Sequence, residues 1–78
     1  MFIYILQSIS DPSKFYTGMT GDVSSRLEYH NRGQVKHTSK YRPWKIKNYV
    51  WFENETKARL FEQYLKTGSG RAFTKRHF

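Results

Sequence analysis

Residues 2–18 read FIYILQSISDPSKFYTG, and the fold depends on how this stretch is parsed. Phe2 to Gln7 is a run of β-branched and aromatic residues, which is a strand signal. Ser8 to Ser13 contains Asp11-Pro12 and reads as a turn. Lys14 to Met19 reads as a second strand. The gap between them is short, so the two are expected to pair as an antiparallel hairpin. Side chains alternate along a strand, so Phe2, Tyr4 and Leu6 share one face. On the second strand Lys14, Tyr16 and Gly18 share one face. In a matched register Tyr4 and Tyr16 become neighbours with hydroxyls close together. Taken alone, such a pair is most often two ordinary strand tyrosines.

Outward from the hairpin, Thr20-Gly21-Asp22 offers helix caps, and a helix is expected from Asp22 to Asn31. Gly33 fits its end, where a left-handed residue suits glycine. Residues 33–43 are polar and basic and end in Arg42-Pro43, which reads as a loop with at most a short turn. Lys45 to Phe52 reads as a third strand. Asn54 caps a second helix from Glu55 to Lys66, whose buried stripe is Ala58, Phe61 and Leu65. Thr67-Gly68-Ser69-Gly70 stops that helix. The tail 71–78 is basic and is expected to add only a short helical piece. The order β-β-α-β-α predicts a small α/β (α+β) fold, one antiparallel sheet with helices packed on it.

At 78 residues the chain is expected to be one domain over 1–78. So short a chain buries only about 60–65% of its unfolded surface. Aromatic residues, at 18%, can fill the thin core that results. The chain has no cysteine, which excludes a disulfide scaffold and a thiolate zinc site. No apolar run approaches the ~20 residues that span a bilayer. Met1 to Leu6 is too short for a signal peptide and lacks its basic flank, so a cytoplasmic location is expected.

Fourteen Lys and Arg against six Asp and Glu give a net charge of +8. No carboxylate lies between Tyr29 and Phe52, a stretch holding Arg32, Lys36, Lys40, Arg42, Lys45 and Lys47. None follows Glu62, while Lys66, Arg71, Lys75 and Arg76 do. Aromatic residues are interleaved with both blocks, which suits a phosphate backbone with stacked bases. The plain alternative is a solubilising surface. A membrane surface is third, since neither block reads as an amphipathic helix.

Three features could carry chemistry. The first is the tyrosine pair. The second is Arg26 with His30, four apart on one helix face, where two exposed side chains would be the ordinary explanation. The third is Glu62, on the edge of an apolar stripe, where a carboxylate needs a partner or a cation. Arg59 or Lys66 could be that partner. A hard divalent ion held by one carboxylate, substrate phosphate and waters is the functional alternative.

Together these features resemble a known family. Phe2-Ile3-Tyr4 and Tyr16-Thr17-Gly18 look like the paired motifs of the GIY-YIG nucleases. Thr20-Gly21-Asp22, Arg26, His30-Asn31 and Gly33 resemble that family's first helix. Arg42-Pro43-Trp44 and the helix end from Glu62 to Lys66 are also similar. The likeness runs from Phe2 to about Phe73 and is to small stand-alone members related to the amino-terminal nuclease domain of excinuclease C. It implies a three-stranded antiparallel sheet flanked by helices and metal-dependent cleavage of a phosphodiester bond. It places Tyr4, Tyr16, Arg26, His30 and Glu62 as catalytic, with Glu62 binding one Mg²⁺ or Mn²⁺. Departures are Phe2 in place of a frequent glycine, Thr17 in place of isoleucine, and Met19 where some members carry a basic group. No clear match exists for an asparagine near the carboxyl end.

On this reading Arg26 holds the scissile phosphate. A tyrosine takes a proton from water or passes it to His30, and which tyrosine stays open. Gly18 lets backbone approach the phosphate. Arg32, Lys36, Lys40, Arg42 and Lys45 track the strand. The expected partner is DNA, branched or single-stranded, in repair or recombination, with no membrane and room for a protein that supplies specificity. The rivals are a nucleic-acid-binding module of the same fold that does not cut, and a small interaction protein. Exposed aromatics such as Trp44 or Trp51 are candidate interface residues, and oligomeric state stays open. His37 and His77 read as surface residues.

Overall fold

A computed structural model describes residues 1–78. Its elements are β1 (Phe2–Ser8), β2 (Phe15–Thr20), α1 (Val23–Asn31), α2 (Lys36–Ser39), β3 (Trp44–Trp51), α3 (Glu55–Leu65) and α4 (Gly68–His77). The strands form one sheet in the order β2-β1-β3, antiparallel throughout. This is the three-stranded antiparallel sheet flanked by helices that the sequence predicts.

β1 is central because its run of Ile3 to Leu6 has no solvent face to offer, and all four residues are buried. Ile3 and Ile5 pack on Ala58 and Leu65 of α3 on one side of the sheet. Tyr4 and Leu6 pack on Trp44, with Val23 and Leu27 of α1 over them, on the other. The core is therefore two thin layers divided by one strand. Opposite β1, Tyr4 pairs with Gly18 and Leu6 with Tyr16. On the other flank Tyr4 pairs with Tyr49, and a bulge between Ile5 and Leu6 shifts the β3 register.

Asp22 accepts from Ser25 N–H at the start of α1, and Asn54 from Lys57 N–H at the start of α3. Gly33, with φ +78°, takes the left-handed position after α1. Two expectations need correction. Thr67 to Gly70 ends α3 but also starts α4, a ten-residue helix whose N-cap Thr67 accepts from Gly70 N–H. The Thr67 cap together with the packing of Phe73 on Phe61 offsets the helix-breaking tendency of the two glycines. Gly70 is buried so closely against the Tyr64 carbonyl and Leu65 Cα that no β-carbon fits. Trp44 is no interface candidate: it is 4% exposed, and its indole N–H donates to the Thr38 carbonyl at 2.9 Å. Trp51 is exposed.

Candidate active site

Gly18 is the floor of the site. A β-carbon there would collide with the Tyr4 ring and hydroxyl, so the missing side chain lets the phenol lie across β2. That is a different service from the close phosphate approach expected of this glycine. Tyr4 is 1% exposed. Its ring centroid is 6.3 Å from that of Tyr16, which is partly exposed.

Arg26 and His30 project from α1 toward these phenols. His30 is fully buried, the reverse of the ordinary exposed pair. The Tyr4 hydroxyl lies 2.9 Å from His30 Nε2, and His30 Nδ1 lies 2.9 Å from Thr38 Oγ1. The Thr38 hydroxyl donates to the Val35 carbonyl, so Thr38 Oγ1 accepts from His30 Nδ1–H. Nε2 is then the free acceptor, and the Tyr4 hydroxyl donates to it. The result is a directed chain, Tyr4 to His30 to Thr38 to Val35.

The electrostatics agree with that direction. Burial pushes the His30 pKa below its usual value, and the nearby Arg26 charge adds to this. Burial raises the Tyr4 pKa above 10.0, against the lowering effect of Arg26, and Tyr16 and Glu62 raise it further. Both partners are neutral at physiological pH. The Arg26 guanidinium also stacks on Tyr29, 4.6 Å from the ring centroid. Its Nε is buried and has no acceptor within the protein. A buried donor without a partner is costly, and a phosphate oxygen is the acceptor whose charge suits it.

Glu62 reaches the site from a different direction. It stands on α3, which covers the Ile3–Ile5 face of the sheet rather than the Tyr4 face, and it makes no hydrogen bond to either tyrosine. Its charge nonetheless reaches the Tyr4 phenol, because α3 packs against the edge strand β2. The Glu62 side chain is 19% exposed and pairs with Lys66 at 3.5 Å; Arg59 pairs with Glu55 instead. No group of three or more His, Asp or Glu gathers around this carboxylate, so a hard divalent cation held there would rely on Glu62, substrate oxygens and several waters.

The expected substrate-tracking cations are scattered. Lys40 opens onto the hollow of about 310 Å³ beside Tyr16, and Lys36 is exposed on α2. Arg32 pairs with Glu28 at the surface. Arg42 packs over Gly33 and donates to the Ser39 carbonyl, so it braces the turn after α2. Lys45 pairs with Gln7 in the sheet, which puts it on the face away from Tyr4.

Three contributors were not singled out from sequence. Thr38 fixes the histidine tautomer. Asn31 clasps the Trp44 backbone, accepting from its N–H at 2.6 Å and donating to its carbonyl at 3.0 Å. His37, exposed, stands with its ring 6.3 Å from Tyr16. The alternation that places Tyr16 also places Lys14 beside the same hollow.

The family model for the GIY-YIG catalytic domain matches residues 1–76. A protein from Staphylococcus aureus (strain Mu3 / ATCC 700698) named UPF0213 protein is 40% identical over 67 residues, covering 85% of this chain and 79% of the relative. The structure-specific endonuclease subunit slx1 of Talaromyces marneffei is 38% identical over 65 residues, 76% of this chain. The match spans 17% of that longer protein. No solved structure matches.

Proposed function

This chain belongs to the GIY-YIG catalytic-domain family, and on that premise we propose that it is an endonuclease hydrolysing DNA phosphodiester bonds. The observation that carries the reading is the buried Arg26 Nε without an acceptor, set among two phenols and a histidine. It is a seat for one oxygen of the scissile phosphate.

In this reading Arg26 binds the phosphate and offsets the charge that builds in the transition state. Tyr16, the phenol with access to solvent, faces the attacking water and takes its proton. Tyr4 has already committed its proton to His30 and resists ionisation, so its part is to hold Arg26 and the histidine in place. Glu62 would hold one Mg²⁺ or Mn²⁺, which when bound neutralises charge on the departing oxygen. Lys40 steers the strand beside Tyr16. The work belongs to repair or recombination in the cytoplasm, and a partner protein supplies specificity, as the word subunit in the name of the Talaromyces relative suggests.

The test is a cleavage panel over nicked, flapped, branched and single-stranded DNA with Mg²⁺, Mn²⁺ or chelator. Ion-dependent cutting is expected, lost in Glu62→Ala with binding kept, and slowed about 10²–10⁴-fold in Tyr16→Phe. Wild-type rates in Glu62→Ala would remove the carboxylate from the mechanism. Binding with no cutting on any substrate would leave a binding module of the same fold.

A further inference from the structure

We propose that a groove running around the edge of β2, from Tyr16 onto the face opposite Tyr4, binds single-stranded DNA, with Phe15 as a base-stacking platform. The proposal rests on the DNA-directed reading above and deepens it by naming the form of the substrate. The groove encloses about 1100 Å³, and Lys14, Lys47, Lys66, Arg71 and Lys75 line it with no Asp or Glu among the lining residues. Five cations, one of them paired with Glu62, and no Asp or Glu in the lining describe a polyanion track.

Phe15 lies in the same groove and is 49% exposed. It pairs with Gln7, so it stands on the face opposite Tyr4, with Lys47 Nζ 5.7 Å from its ring centroid. An exposed ring among cations is the combination that binds unpaired bases, since stacking needs a free base face. A duplex could satisfy the lysines but would leave Phe15 in water, because its bases are already stacked on each other. An acidic peptide would satisfy the charges and equally ignore the ring. The groove is continuous with the site: Tyr16 and Lys66 line it, and Lys66 is the residue paired with Glu62. A strand lying there leads around β2 to Arg26. Arg71 and Lys75, four apart on α4, face it together.

Binding is measured by fluorescence anisotropy in chelator at low salt, so that cutting cannot intervene. The probes are a labelled oligo(dT) of about 12 nucleotides, a duplex and an oligo(U) of the same length, and poly-glutamate as competitor. Phe15→Ala is expected to weaken oligo(dT) by about 5- to 100-fold and leave the duplex within about twofold, with an unchanged melting curve. Phe15→Trp is expected to restore binding, with tryptophan quenching on addition of oligo(dT). Charge removal in Arg71→Gln with Lys75→Gln is expected to flatten the salt slope by about 0.7 per lost contact. Equal losses on single strand and duplex, no loss at all, tighter binding of oligo(U), or displacement by poly-glutamate at matched charge would each overturn the proposal. The two readings fail separately. Intact discrimination by Phe15 in a protein that cuts nothing defeats only the nuclease; cutting with unaltered binding in Phe15→Ala defeats only the groove.

Discussion

The Tyr4 hydroxyl, the His30 ring and the Thr38 hydroxyl form a chain in which every proton has a direction, and removing any one link leaves a buried group unpaired. Tyr4→Phe strands the Nε2 lone pair of His30 and is expected to cost about 1–3 kcal/mol by denaturant titration. Thr38→Val strands Nδ1–H by a similar amount while keeping shape. The depressed His30 pKa adds a pH dependence. The unfolded chain takes up a proton near the usual histidine pKa of 6.5 while the buried ring does not. Stability is therefore full above that value and falls as pH drops below it, toward the folded pKa. Thermal melts from about pH 8 to 5 should show the decline, and His30→Gln should flatten it. Alternation on strands and four-residue spacing on a helix set Tyr4 beside Tyr16 and Arg26 beside His30, but they equally allowed ordinary strand tyrosines and an exposed pair, and only the motif resemblance singled the four out. Thr38 was not singled out, since a lone polar residue in a basic loop carries no period. Asn31 was quoted only as part of a motif, and its grip on the Trp44 backbone needs a residue thirteen positions away.

α4 shows how a local rule can misread an element. Two glycines in four residues argue for a stop, and they do stop α3. Gly70 is there for contact, however: it lets the first turn of α4 touch the last turn of α3 backbone to backbone. Phe73 then seats the helix edge-on against Phe61, with centroids 6.1 Å apart. Gly70→Ala must push α4 off this seat and is expected to destabilise by about 1–3 kcal/mol. For a domain of this size that lowers the melting temperature by roughly 4–8 °C per kcal/mol. Ser69→Ala, at an exposed position two residues into α4, should change it little. The hairpin, the third strand, α1 and α3 were readable from alternation and capping. Glu62's approach from the opposite face was not, because helix spacing says which side of α3 is buried and nothing about which face of the sheet buries it.

Charge acts on the molecule as a body. A net +8 on 78 residues makes a field that draws any polyanion, with a salt dependence that follows the number of phosphates neutralised. About four such contacts to a single strand predict an affinity loss of roughly 50-fold between about 50 and 200 mM salt, readable by anisotropy. A flat response would mean that the charge only solubilises the protein. The sequence located both basic blocks but not their partition. Lys45 faces away from Tyr4 and Arg42 braces a turn, while Lys14 and Lys66 flank the opening. β1 supplies Tyr4 and also keeps its two neighbours apart, and β3 joins it only after β2, α1 and α2 have intervened in the chain. Without β3 the hairpin leaves one edge of β1 unpaired. Closing it requires the long-distance pairing that slows assembly. The Tyr4–His30 contact and the Asn31 clasp on Trp44 are thus completed together, so a half-folded chain carries only half a site.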